Sequence, residues 1–216
     1  MCVYEKQKIE LIEYANKLVE SEYVHGTGGN ISLRSADNSE IILITPSGME
    51  YCDLVPDDIA VCDLNCKVIE GRCKPSIELG MHSGIYKSRK DVLAIMHSHS
   101  IYSLGLAMSR KPLPAVQASL VFIGNPIEIA EYANPGTPEL AENVVRSLAG
   151  NGAVLLANHG LVTVSTNLKS AYEIVEKIEI SIRAYLYAKI FGGAVAISQE
   201  EGEELIEFVK QNYGQK

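Results

Sequence analysis

Two apolar runs that end on histidines constrain this chain more than any other feature. Val92 to Met96 is apolar throughout and leads straight into His97-Ser98-His99. A short apolar run of this kind predicts a buried strand. Side chains on a strand alternate between faces, so His97 and His99, two apart, are expected to project together from its end. A second run, Ala153 to Ala157, leads into Asn158-His159-Gly160. Three imidazoles on strand ends can converge on one ion and leave a coordination position open, which is the arrangement of a catalytic zinc site. A single buried histidine is commonly a hydrogen-bonded core residue, so the metal reading depends on the three together.

The remaining pattern predicts helices before, between and after strands, hence an α/β layered architecture. Residues 5–24 space Ile9, Ile12, Ala15, Leu18 and Val19 as one face of a helix. Strands are expected after Gly26-Thr27-Gly28-Gly29-Asn30, at Ile41–Thr45, as a pair within 52–73 turning at Asn65, at Leu120–Ile123 and at Glu128–Tyr132. Lys74-Pro75-Ser76-Ile77-Glu78 opens a helix to about Ser88, with Ser76 as its N-cap and Glu78 in the first turn. Further helices are expected at Ser100–Met108, after the capping Thr137-Pro138, at Leu168–Phe191 before Gly192-Gly193, and at Gln199–Tyr213. No repeat, linker or low-complexity tract divides the chain, so residues 1–216 are expected to form one domain.

Composition narrows the partners. With 19 Lys and Arg against 27 Asp and Glu, the net charge is −8 and no basic stripe is present, which speaks against nucleic acid. A single phosphate remains a possible ligand, because backbone amides and a few hydroxyls can hold one. The N-terminus lacks the apolar core of a signal peptide and no stretch is apolar enough to span a bilayer, so neither export nor a membrane is expected. Five cysteines, with no C-x-x-C pair, predict free thiols in a reducing cytoplasm. Cys62 and Cys66, placed in a polar loop, lack further paired ligands.

Three more segments could carry chemistry. The loop at Gly26–Asn30 lacks the ending of a Walker A motif and precedes a strand, not a helix. Its backbone N–H groups, the Thr27 hydroxyl and the Asn30 amide suit a phosphate monoester; it serves equally as a tight turn requiring positive φ. Thr45-Pro46-Ser47-Gly48 offers further donors, or an ordinary turn. Glu78, near a helix N-terminus, is the candidate base, although acidic residues commonly complement helix ends. His82 follows one turn later and reads as structural or supporting; His25 is left without a role.

Taken in order, Gly-Thr-Gly-Gly-Asn-Ile-Ser, Thr-Pro-Ser-Gly, Lys-Pro-Ser-x-Glu, His-Ser-His and Asn-His-Gly-Leu resemble the motifs of the class II aldolase/adducin family. Within it, the chain looks like the fuculose-phosphate type of aldolase. The resemblance spans nearly the whole sequence. It implies a three-layer α/β/α fold with a mainly antiparallel central sheet, a Zn2+ ion or another divalent transition metal, and a homotetramer with active sites at subunit interfaces. Carried over by position, His97, His99 and His159 match the metal ligands. Glu78 matches the acid/base, with a fourth-ligand role when substrate is absent. Thr27, Gly29, Asn30, Ser47, Gly48 and Ser76 match the phosphate loops. Tyr213 matches a C-terminal tyrosine that reaches a neighbouring site.

The implied reaction cleaves a ketose 1-phosphate, such as L-fuculose 1-phosphate, to dihydroxyacetone phosphate and an aldehyde through a metal-stabilised enediolate. Two positions depart from the pattern. Ile77 stands where a second serine is expected in the phosphate site, and Ala118 follows Pro114-Ala115-Val116-Gln117 where a tyrosine is expected. A ribulose-phosphate 4-epimerase, a methylthioribulose-1-phosphate dehydratase and a non-catalytic adducin-like interaction domain remain open as alternatives. The epimerases usually carry Asp in place of Glu78, and an interaction domain would not require the histidines.

Overall fold

The computed structural model describes residues 4–213. Seven helices and eight strands follow in the order α1 (Glu5–Glu20), β1 (Asn30–Arg34), β2 (Ile41–Ile44), β3 (Ala60–Asp63), β4 (Val68–Glu70), α2 (Leu79–Ser88), β5 (Ala94–Ser98), α3 (Ile101–Met108), α4 (Ala118–Val121), β6 (Ile129–Ala130), α5 (Pro138–Leu148), β7 (Ala153–Leu156), β8 (Gly160–Ser165), α6 (Leu168–Ile190) and α7 (Gln199–Asn212). All eight strands belong to one sheet in the order β4-β3-β2-β1-β5-β8-β7-β6. Every pairing is antiparallel except β6 with β7.

The two faces of the sheet are both apolar, which is why its central strands read as continuous hydrophobic runs and not as alternating ones. Ile31, Leu43, Ala94, Met96 and Leu161 pack with Leu11, Ala15 and Leu18 of α1 and Val175, Ile178 and Ile182 of α6. Ile42, Ile44, Ile95, Val162 and Val164 pack with Ile85 and Tyr86 of α2 and Leu140 and Val144 of α5. Helices on both faces give the three layers expected.

Five local expectations are corrected. Leu120–Ile123 is not a strand: Ala118–Val121 forms the short helix α4, burying Leu120 and Val121. Its β-favouring residues yield to the site they occupy against α6 and α7. Ser76 is not the N-cap of α2, because the helix starts at Leu79: the Ser76 N–H donates to the Thr45 carbonyl at 3.1 Å, and its hydroxyl accepts from the Glu78 N–H at 3.2 Å, one turn short of the helix. Glu78 takes the N-cap position instead of the first turn, and its side chain makes no cap. Cys62 lies buried within β3, not in a polar loop. The histidine strand covers 94–98, so His97 is inside it. Among the described residues no helix is long and apolar enough to cross a membrane, and Cys52, Cys62, Cys66 and Cys73 are free thiols.

Candidate active site

The strand order brings the sequence motifs to one end of the sheet. β5 lies between β1 and β8, with His97 opposite Asn30 on one side and Val162 on the other. His99 follows just beyond the strand end. His159 sits in the three-residue turn joining β7 to β8, whose first residue Gly160 pairs with Leu156. That turn requires Asn158 at φ +57°, a left-handed conformation that asparagine tolerates. Arg110 Nε–H donates to the Asn158 side chain at 2.7 Å and holds it there. Gly160 passes so close to β5 that a Cβ would lie 2.3 Å from the Ser98 carbonyl oxygen, so only glycine lets His159 reach the end of β5.

The three imidazoles converge. Their ring centroids are 4.7, 4.7 and 5.2 Å apart, and one nitrogen from each lies within 4.8 Å of the others. His97 Nδ1–H donates to the Leu161 carbonyl at 3.0 Å, which fixes its tautomer and leaves Nε2 with its lone pair facing His99 Nε2 at 2.9 Å. Burial pushes all three imidazoles toward the neutral form. For His97 and His99 the neighbouring imidazoles push the same way, while Glu78 opposes the shift at His99 and His159. Neutral imidazole is the form that ligates a metal.

Glu78 completes the cluster. Only 4 % exposed, it places Oε2 3.3 Å from His97 Nε2 and Oε1 3.7 Å from His159 Nε2. Oε2 accepts from the Asn30 amide at 2.8 Å, whereas among the described residues neither Oε1 nor His159 Nδ1 has a hydrogen-bond partner. Buried polar atoms are rarely left unpaired, and such orphans mark where an ion or a substrate belongs. The donor set, three neutral nitrogens with a carboxylate beside them, fits a divalent transition ion.

The phosphate-loop candidates lie next to this cluster. Thr45 N–H donates to the Ile31 carbonyl and Ile31 N–H to the Thr45 hydroxyl, joining the start of β1 to the end of β2. Ser47 N–H bonds to the Lys74 carbonyl and Pro46 bridges Pro75, so the segments carrying Ser47 and Ser76 run side by side. Thr27, Ser47 and Gly48 are exposed, Gly29 is half-buried, and Ser76 and Asn30 are buried. Gly29, at φ +67°, passes so near His97 that a Cβ would meet its carbonyl oxygen at 2.6 Å. Asn30 is engaged through its side chain with both Glu78 and His82.

Tyr213 stands apart: it is 87 % exposed at the end of α7, with no hydrogen bond or ion pair to the histidines or Glu78 among the described residues. His25, without a role in the sequence reading, lines a separate cavity of about 630 Å³ with Tyr23, Tyr102 and Arg183. Two contributors were missed. Glu179 of α6, buried, accepts from Ser100 Oγ–H at 2.9 Å and from the N–H groups of Tyr102 and Ser103 at 3.2 and 2.7 Å, capping α3 directly after His99. Ser32 was passed over as a strand residue, though its β1 position two beyond Asn30 puts it on the Asn30 face.

Comparison with known proteins agrees with this fold. The family model for the class II aldolase and adducin N-terminal domain matches residues 9–186. The chain is 36 % identical over 212 residues to a 5-deoxy-D-ribulose 1-phosphate aldolase of Bacillus thuringiensis serovar kurstaki, covering 98 % of this chain and 99 % of the relative. It is 34 % identical over 205 residues to a 5-methylthioribulose-1-phosphate/5-deoxyribulose-1-phosphate aldolase of Rhodospirillum rubrum, covering 94 % and 90 %. A solved L-fuculose 1-phosphate aldolase superposes with a TM-score of 0.90 at 42 % identity, covering 94 % of this chain and 95 % of that one.

Proposed function

The chain belongs to the class II aldolase and adducin family and is a metal-dependent aldolase, and from that premise we propose that it cleaves a deoxyketose 1-phosphate between C3 and C4. The substrate class is a ketose 1-phosphate ending in a methyl group, such as L-fuculose 1-phosphate or 5-deoxyribulose 1-phosphate. The products are dihydroxyacetone phosphate and lactaldehyde or acetaldehyde, respectively. The observation that carries this reading is a buried carboxylate, Glu78, with one oxygen held by Asn30 and the other unpartnered beside three convergent neutral imidazoles.

His97, His99 and His159 would hold the ion, and zinc is among the divalent ions that three imidazoles accept. When bound, the metal supplies Lewis-acid stabilisation of the negative charge that develops on the C2 oxygen as the C3–C4 bond breaks. Glu78 handles the proton at C3: Oε1–H delivers it during cleavage and the carboxylate removes it during condensation. Thr27, Gly29, Ser47, Gly48 and Ser76 take the phosphate, so that binding energy remote from the bond positions C3 against Glu78. The Asn30 side chain, held between Glu78 and His82, serves the carboxylate instead. With Ile77 in place of a second hydroxyl, backbone N–H groups carry a larger share of that contact. The hydroxyl at C4 must lose a proton as the aldehyde forms. With Ala118 offering no proton acceptor, Tyr213 of a neighbouring subunit is assigned that contact, its hydroxyl oxygen accepting the C4 proton as its own hydrogen passes to solvent, in a homotetramer. The four free thiols of the described residues fit a cytoplasmic setting.

The test is a retro-aldol assay on 5-deoxyribulose 1-phosphate and L-fuculose 1-phosphate, reading dihydroxyacetone phosphate. Release that is abolished by a chelator and restored by added zinc is expected. No release from zinc-loaded protein on either ketose would refute the substrate class.

A further inference from the structure

Behind Glu78 runs a chain of buried polar groups whose hydrogen bonds can point only one way. Asn30, Ser32, Glu78, His82 and Tyr86 are all at most 4 % exposed. A carboxylate only accepts, so the Asn30 group at 2.8 Å from Glu78 Oε2 must be its NH2. Asn30 Oδ1 then faces His82 Nε2 at 2.5 Å, and that nitrogen must carry the hydrogen. His82 Nδ1 is left as an acceptor and takes the Ser32 hydroxyl hydrogen at 2.6 Å. Ser32 Oγ in turn accepts from the Tyr86 hydroxyl at 2.8 Å. At the far end the Arg34 guanidinium lies 4.9 Å over the Tyr86 ring and donates to the Tyr86 carbonyl. Every dipole in the series is oriented toward the carboxylate.

We propose that His82, backed by Ser32 and Tyr86, is a positioning residue that aims the Asn30 amide at Glu78 Oε2 and so fixes the pose in which Oε2 sits against His97 and the free Oε1 faces His159. This rests on the reading of Glu78 as the acid/base. Mutual satisfaction alone would not demand a direction, nor leave the opposite carboxylate oxygen free. Burial pushes the His82 pKa down to about 3, so the ring stays neutral and keeps one donor and one acceptor throughout the working range. Aligned bonds of this kind polarise one another, strengthening the last one on the carboxylate.

The experiment has two arms. In metal-free wild-type protein, 15N-detected imidazole spectra should show His82 protonated at Nε2; protonation at Nδ1 overturns the relay. In the zinc enzyme, His82→Leu is expected to lower kcat by about 10- to 100-fold with KM and zinc content unchanged, while His82→Gln, which keeps a donor toward Asn30, should recover most of it. Adding His82→Leu to Glu78→Gln should cost nothing further. A full additive loss in the double variant, or an unchanged kcat in the single one, overturns the relay. Should His82→Leu fail to fold, Tyr86→Phe in the same two backgrounds replaces it, with a smaller loss that must likewise vanish behind Glu78→Gln. Wild-type turnover by Glu78→Gln alone would instead refute the acid/base reading and leave the tautomer result standing.

Discussion

Glu78 is asked to do two things that are normally opposed: to stay buried and to keep one oxygen unpaired. Its replacement by Gln keeps the shape and the Asn30 contact but removes the transferable proton. That change is expected to lower kcat by about 10²- to 10⁴-fold with zinc retained, by metal analysis of the dialysed protein. His97→Ala or His159→Ala should instead lose the metal and the activity together; full occupancy in either would remove that residue from the ligand set. Gly29 and Gly48 separate conformation from contact. Both have positive φ, +67° and +70°, but a Cβ has nothing within 4 Å at Gly48 and meets the His97 carbonyl oxygen and the Val24 side chain at Gly29. Gly29→Ala is therefore expected to cost more than Gly48→Ala in urea denaturation, with about 1–3 kcal/mol from the strained backbone alone in each. The paired histidines were legible because a strand repeats every two residues, and His159 because it follows an apolar run. The partners of Glu78 were not: Asn30 lies 48 residues away in sequence, and only strand pairing and the start of α2 bring the two together.

At the level of elements, α3 depends on a carboxylate from another helix. Glu179 accepts from two N–H groups at the α3 N-terminus and from Ser100, where α3's own N-cap side chain makes no capping bond. A local reading of helix caps could not find it, because the cap comes from α6. Leu120–Ile123 failed for a related reason: a β-favouring run of four residues is too short to outweigh the packing of its neighbours. Farther back, Asp58 anchors the segment that leads into residues 74–78, accepting from Arg72 Nε–H at 2.7 Å and from the Val55 N–H at 3.0 Å. The Arg72 contact is the main reason its pKa falls to about 2. An unfolded aspartate titrates near 3.9, so the unfolded chain binds the proton first as the solution is acidified. The stabilisation is complete above about pH 4 and is lost as the pH falls toward 2. Asp58→Asn should flatten the fall in unfolding free energy between about pH 4 and pH 2, and an unchanged slope would show that Asp58 is not its source.

Across the whole molecule, the layered α/β character was visible in the alternation of helical and strand patterns, whereas the strand order was not. Nothing local distinguishes β6 as a parallel edge strand, or places β5 between β1 and β8. Yet that order is what brings residues 27–30, 45–48, 74–78, 97–99 and 159 to one end of the sheet. The same molecule leaves Leu186, Tyr187, Ile190 and Phe191 of the α6 end, and Tyr213 beyond α7, exposed in the single chain. If Tyr213 serves a neighbour's site, Glu78→Gln and Tyr213→Phe subunits should complement each other. Random mixing would give about a quarter of sites both native residues, since each is drawn independently from a different subunit. No recovered activity after unfolding and co-refolding of the two variants would place both residues in one subunit, and wild-type activity of Tyr213→Phe alone would remove Tyr213 from the site.

The assignment of Glu78 as the group that moves the C3 proton is tested most directly by half-reaction exchange, without any aldehyde present. Dihydroxyacetone phosphate is incubated in deuterated water with zinc-loaded wild-type or Glu78→Gln protein, and deuterium at the hydroxymethyl carbon is followed by NMR. Wild-type protein is expected to incorporate one deuterium, and Glu78→Gln, with zinc content verified, to lose that exchange. Exchange by Glu78→Gln at the wild-type rate would contradict the role given to the carboxylate.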